Sequence, residues 1–307
     1  MSRIEEALEK AARLRTGQEI APPDERPVRP ASPTPVTSYV MPDHVLSINN
    51  ELIVTHTGAN SGIAEEYRKL KSILIKLAKG ETFHNTLMIT SAVASEGKSI
   101  TALNLAISLA QEYDYTVLLI DADFRKPSLH KYLGINQGPG LTECLMDGLP
   151  LSQALVKTGL GKLTLLPTGR RLDNPVELFT SNRMKDFIHE VKHRYPDRLI
   201  ILDTTPTLPF AEARYLSQLV DGTIFVVREG VCSLDNVAHA LEELKAGNIL
   251  GLVYNDATRR SSDAGYYYGY YGYYGYGYGG YNYGKRYGGY GYGQSGQAKP
   301  TAEKETP

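Results

Sequence analysis

TLMITSAVASEGKSITALNLAISLAQ, residues 86–111, decides the fold. Thr86–Thr90 is a short apolar run with no polar alternation. That is the pattern of a strand buried on both faces. Ala92-Val93-Ala94-Ser95-Glu96-Gly97-Lys98-Ser99 follows, and a helical pattern over about 99–111 comes next. A strand, a small-residue loop ending Gly-Lys-Ser, and a helix together form a phosphate cradle. The template is G-x-x-x-x-G-K-[ST], and alanine stands here for the first glycine. The substitution is harmless provided Ala92 keeps a negative φ. Backbone N–H groups of Ser95, Glu96, Gly97, Lys98 and Ser99, with Ile100 in the first helical turn, would surround phosphate oxygens at a helix N-terminus. Gly97 permits close approach of the backbone. Lys98 would neutralise β/γ oxygens, and the Ser99 hydroxyl would ligate Mg2+.

Outward from this unit, short apolar runs alternate with helical patterns. The runs are Thr116–Ile120, Leu163–Pro167, Leu199–Leu202, Thr223–Val227 and Leu250–Tyr254. Helical patterns fall around 181–194, 211–219 and 235–246. This order predicts an α/β fold with a doubly wound, mostly parallel sheet, whose ligands bind beyond the carboxyl ends of the strands. Two of those ends carry acid. Thr116–Ile120 runs into Asp121-Ala122-Asp123, and Leu199–Leu202 runs into Asp203. Carboxylates at these positions can hold a divalent cation directly or through water. The last run ends at Asn255, a candidate contact for the nucleotide base. Arg125 reads equally as a stabiliser of transferred charge and as a structural residue. His130, Cys144, Cys232, Tyr215 and Tyr254 read as packing residues.

The flanks differ from this core in composition. Ser2 and Glu5 have capping-box spacing, and Ile4, Ala7, Leu8, Ala11 and Leu14 form a stripe. Residues 1–20 thus read as an amphipathic helix. Residues 21–59, with seven prolines between Pro22 and Pro42, read as a linker. Residues 60–258 read as the nucleotide-binding domain. Residues 259–307 read as a disordered tail. Fourteen of the 22 tyrosines lie in that tail: Tyr266, Tyr267, Tyr268, Tyr270, Tyr271, Tyr273, Tyr274, Tyr276, Tyr278, Tyr281, Tyr283, Tyr287, Tyr290 and Tyr292. Glycine interleaves them, so the segment has little with which to build a core. A Gly-rich coil spans about 5–6 Å × √n, which lets these phenols explore roughly 16–36 Å from the end of the fold.

A net charge of −1 over 307 residues gives no strong pull toward nucleic acid. Two cysteines exclude a disulfide scaffold and fit a reducing compartment. No run reaches the ~18 apolar residues of a membrane span, and the start lacks a secretory apolar block. The expectation is a cytoplasmic protein that a partner brings to the inner membrane.

Taken together, these residues resemble the bacterial tyrosine (BY) kinases that accompany exopolysaccharide and capsule export. Residues 92–99 resemble that family's Walker A motif, 117–123 its Walker A′ and 199–203 its Walker B. Glu65, Arg68 and Lys71 resemble its E-x-x-R-x-x-R oligomerisation motif, with lysine last. Asn174-Pro175-Val176-Glu177-Leu178 resembles its N-P-x-E-L segment, and the tail its tyrosine cluster. The N-terminal SRIEEALEKA resembles the stand-alone form of exosortase-linked loci. The resemblance implies a P-loop NTPase fold of the MinD/ParA-like class, with ATP and Mg2+ as cofactors. It implies Asp121 as base, with Lys98, Asp123 and Asp203 completing the catalytic set and Ser99, Asp121 and Asp203 near the metal. It implies autophosphorylation of the tail, a homo-oligomeric ring, a transmembrane co-polymerase as activator and a phosphatase that resets the tail. Ala94-Ser95 replaces the family's usual Pro-Gly, and Thr205-Pro206 its Pro-Pro. The alternative is a MinD/ParA-like ATPase switch without kinase activity.

Overall fold

The structure is a computed structural model that describes residues 50–58, 61–80, 85–172, 174–194 and 197–258. The N-terminal helix, most of the Pro-rich linker and the tyrosine tail lie outside the described residues.

Seven strands form one sheet: β1 (Thr86–Ser91), β2 (Thr116–Asp121), β3 (Val156–Lys157), β4 (Leu163–Leu166), β5 (Arg198–Asp203), β6 (Gly222–Arg228) and β7 (Ile249–Asn255). Their order is β3-β4-β2-β5-β1-β6-β7, parallel except for β3. The expected doubly wound sheet is therefore present. Successive side chains on a strand point to opposite faces. Leu87 and Ile89 join one core with Leu119, Ile201 and Val226, while Met88 joins the other with Leu118, Ile200 and Phe225. Two covered faces explain why the runs are continuously apolar. β7 departs from that expectation. As an edge strand it leaves Leu252 and Tyr254 exposed, so Tyr254 is not a core residue. Tyr215 is exposed as well, and Cys144 and Cys232 are free and only half-buried. His130 is buried, as expected.

α1 (Val54–Thr57) and α2 (Gly62–Ala78) precede the sheet, and α3 (Lys98–Ala110) follows β1. From Thr101 to Ala110 every residue of α3 is buried, because β-strands cover one side and α1 and α2 the other. Packing begins inside the expected linker. Ile53 is fully buried, and Asn104 Oδ1 accepts from both Thr55 N and Thr55 Oγ1 at 3.0 Å. Asn104 Nδ2 donates in turn to Leu52 O at 2.9 Å. Ser61 caps α2 by accepting from Ala64 N at 3.1 Å.

α4 (Leu129–Tyr132) packs on the same face as α3, and the opposite face carries α5 (Leu141–Met146), α6 (Leu151–Ala154), α7 (Pro175–Thr180), α8 (Asn182–Arg194), α9 (Glu212–Ser217) and α10 (Leu234–Glu243). Leu129 of α4 belongs to the core shared with α3, whereas Leu178 and Phe179 of α7 belong to the second core. Four of them, α4 to α7, have no counterpart in the sequence pattern. Each is six residues or shorter, too short to show periodicity.

Asp221 locks the amino ends of β1 and β6 together. Its Oδ2 accepts from Asn85 N at 3.1 Å, Thr86 N at 3.0 Å and Thr86 Oγ1 at 2.7 Å, and Lys192 Nζ donates to Oδ1. Burial opposes the charge, but the hydrogen bonds from Lys192, Thr86 and Asn85 outweigh it and hold the carboxyl at about 2. A depressed carboxyl stabilises the fold above its unfolded pKa near 3.9, and that stability is lost as pH falls toward 2. Asp221→Asn is expected to cost about 1–2 kcal/mol at pH 7, after allowance for nearby solvent. Urea unfolding should show the difference shrinking between pH 4 and pH 2.

Candidate active site

In the parallel register, β1 pairs with β5 and β5 with β2, placing Ile89 opposite Asp203 and Asp121 opposite Asp203. Neighbouring strands lie about 4.8 Å apart. The two aspartates thus emerge side by side, and Ala122 N donates to Asp203 O at 2.8 Å. The loop between β1 and α3 rises next to them. This is how sequence positions more than 80 residues apart become one site.

The loop itself has unusual backbone geometry. Ala92 is absent from the positive-φ residues, so the missing glycine costs nothing. Ser95 has φ +69° and Gly97 φ +90°. A Cβ on Gly97 would stand 2.1 Å from Asn255 Nδ2. Glu96 is fully buried, and its carboxylate turns back so that Oε2 accepts from Val93 N at 2.8 Å. Asn255 Nδ2 donates to Glu96 O at 2.9 Å. Asn255, expected to touch the base, here braces the loop.

The expected catalytic residues do converge. Lys98 Nζ donates to Asp123 Oδ2 at 2.7 Å, and both side chains are nearly buried. Burial works against the ammonium charge, yet Asp203, Asp123 and Asp121 hold the Lys98 pKa above its ordinary value. Asp123 Oδ1 also accepts from Arg125 N at 3.2 Å and Lys126 N at 2.9 Å. Asp121 Oδ2 accepts from Ser128 N and Leu129 N, each at 3.1 Å, and its Oδ1 from Asp123 N at 3.3 Å. Burial and the neighbouring Asp203 charge still push the Asp121 carboxyl up to about 7. Asp203 differs from both. Among the described residues neither of its oxygens makes a well-formed hydrogen bond, although the residue is fully buried. Burial raises it to about 6, with the Lys98 charge and the Ser99 hydroxyl offsetting part of the rise.

A buried carboxylate without partners, beside the Ser99 hydroxyl, is a hard-oxygen pair suited to Mg2+. That ion keeps several waters and takes few protein ligands. Asp121 has both oxygens engaged with backbone N–H groups, and Asp123 has one so engaged and the other on Lys98, which leaves Asp203, beside Ser99, with the least engaged carboxylate.

Sequence reasoning missed several supporting groups. Thr168 Oγ1 donates to Asp121 O at 2.9 Å. Arg125 Nε donates to Glu212 Oε1 at 2.8 Å, and the guanidinium lies 4.1 Å from the centroid of Phe210. Both partners belong to the segment after β5, distant in sequence and without any motif. Arg125 therefore ties the loop after β2 to that segment. Elsewhere, Glu65 pairs with Arg68 at 2.6 Å on α2, and Lys71 reaches Glu112 at 2.5 Å beyond the end of α3.

The strand–loop–helix cradle, its lysine and the two strand-end carboxylates define a P-loop nucleotide-binding protein. Residues 87–246 match the family model described as an AAA domain. The tyrosine-protein kinase YwqD of Bacillus subtilis (strain 168) is 34% identical over 218 residues, which cover 70% of this chain and 90% of that protein. The tyrosine-protein kinase wzc of Salmonella typhi is 32% identical over 208 residues, 66% of this chain but 28% of that longer protein. The kinase domain of the Escherichia coli tyrosine kinase ETK aligns with a TM-score of 0.64 at 28% identity, over 78% of this chain and 86% of that domain. The chain belongs to the bacterial tyrosine-protein kinases.

Glu212 is buried, with Oε2 unpartnered among the described residues, so Arg125 is its main neutralising group. Arg125→Ala should cost about 2–3 kcal/mol in chemical denaturation, because it strands a buried charge. Adding Glu212→Gln to the same chain should recover more than half of that loss.

Proposed function

We propose that this kinase transfers the γ-phosphoryl group of ATP to the phenols of its own segment 266–292, and that the modified segment regulates exopolysaccharide polymerisation and export. One observation carries the reading. A tyrosine-kinase site and fourteen clustered phenols share one chain, and the segment Asp256–Thr258, on the sequence path to those phenols, directly follows Asn255, which holds the phosphate loop.

The chemistry asks for positioning and charge neutralisation rather than a covalent intermediate. Backbone N–H groups of 95–100 bind the ATP phosphates, and Lys98 exchanges its contact with Asp123 for the β/γ oxygens. Ser99 and Asp203 would hold Mg2+, whose charge would offset that of the phosphate oxygens. A phenol has a pKa near 10 and needs a proton acceptor. Asp121, whose carboxyl is pushed up to about 7, fits that task, taking the phenol proton as the oxygen bonds to phosphorus and ADP leaves. Each phosphorylation then adds about −1.5 to −2 charges. Fourteen acceptors would make the segment strongly anionic and set copies of it apart. In this reading copies assemble as a ring through Glu65, Arg68 and Lys71 on α2, with a transmembrane co-polymerase as activator at the inner membrane and a tyrosine phosphatase resetting the segment. No helix among the described residues is long and apolar enough to cross a membrane. The relatives are named kinases, which leaves the plain ATPase switch without support.

Incubation with MgATP followed by peptide mass spectrometry should place phosphate on several tyrosines of 266–292. Lys98→Met should lower incorporation at least 100-fold with the fold intact by circular dichroism. Unmodified tyrosines in the wild type, with or without a co-polymerase fragment, would sink the proposal.

A further inference from the structure

Ser95 is one of two described non-glycine residues with positive φ. A non-glycine residue in that region persists only where its surroundings impose it. The imposing groups come from β6, the strand beside β1, and from the edge strand β7. Arg228, the last residue of β6, donates through Nη1 to Ser95 O at 3.3 Å. The same guanidinium donates through Nε and Nη2 to Asp256 Oδ2 at 3.0 and 2.7 Å. Beside it Asn255 fixes the next carbonyl of the loop, that of Glu96. Glu229 N donates to Asn255 O at 3.1 Å, and Glu229 accepts from Thr258 N. One arginine therefore grips the bend of the phosphate loop with one nitrogen and the exit of the chain toward its tyrosine-rich segment with two.

We propose that Arg228 is a positioning residue for the nucleotide. It holds Ser95 in the left-handed conformation that aims the loop's N–H groups inward, and it couples nucleotide binding to the order of residues 255–258. The argument rests on local geometry and charge. Two consecutive carbonyls of the loop are turned outward to donors on β6 and β7, and turning a carbonyl outward turns the adjacent N–H groups toward the opposite side. Glycine would hold this shape at little cost; serine needs an external hold. The Arg228–Asp256 pair is half-exposed, so it contributes little to global stability, which separates its role from that of a core ion pair. By reciprocity, whatever MgADP does to the grip on residues 255–258, a change in that grip does to MgADP.

Calorimetric titration of the full chain with MgADP tests this. Arg228→Ala should weaken MgADP about 3- to 10-fold, the scale of one lost hydrogen bond to a loop that must be ordered for binding. The melting temperature of the nucleotide-free variant should move by no more than about 4 °C. Ser95→Gly should bind at least as well as the wild type. In the Ser95→Gly background, Arg228→Ala should lose less than half as much on a logarithmic scale, because glycine needs no hold. Hydrogen exchange should slow in residues 254–258 when MgADP is added to the wild type, and should not slow in Arg228→Ala. Wild-type affinity in Arg228→Ala, or equal losses in the serine and glycine backgrounds, overturns the positioning role. Unchanged exchange in the wild type overturns the coupling.

Discussion

The parallel register of β1, β5 and β2 is the constraint on which the site depends. Strand ends are level only when the ladder hydrogen bonds are in phase. A slip of one residue would turn Asp203 toward a helical layer, because side chains alternate faces. Close packing of side-chain shapes in the two cores, rather than a polar–apolar pattern, opposes such a slip. Every residue that could move Asp203 out of line would also exchange the partners of Leu202 and Ile201. Hydrophobic burial thus enforces electrostatic alignment. The acids are placed by residues that have no chemistry of their own.

That placement has a cost. Asp121, Asp123 and Asp203 share a small buried volume with one lysine. Backbone N–H groups answer Asp121 and Asp123, and Lys98 gives its ammonium to Asp123. Asp203 is left with unanswered oxygens, as is one oxygen of Glu96. A fold selected for stability alone would not keep them, since a buried unpaired acceptor is costly. Such acceptors mark where a cationic ligand contributes more than packing does.

Much of this was legible in the sequence. The six parallel strands, helices α3, α8, α9 and α10 and the acids at strand ends follow from apolar runs, their lengths and the residues that close them, whereas α2, the longest helix, was not among the helical patterns read. The Gly-Lys-Ser element gave the ligand class because its requirements are local. What stayed hidden was held by tertiary contacts. β3 has two residues, and helices α4 to α7 are too short to carry a period. Glu212, Arg228 and Thr168 act through partners 47 to 133 residues away. Tyr254 and Tyr215 looked internal because aromatic residues among aliphatic neighbours usually are. Being on an edge strand or a short helix at the surface is a property of topology, not composition. Asn255 was singled out as a base contact, and its amide goes to a loop carbonyl, which no linear pattern discloses.

Asp221 and Asp203 occupy opposite ends of the same sheet and are treated in opposite ways. One is saturated with donors, and the other has none of ordinary geometry. The base of the sheet is thus closed by the protein's own groups, while at the other end one carboxylate is left for whatever enters. A site that must admit a large anion and release its product keeps that opening where the strands end, apart from the core that holds its acids in register.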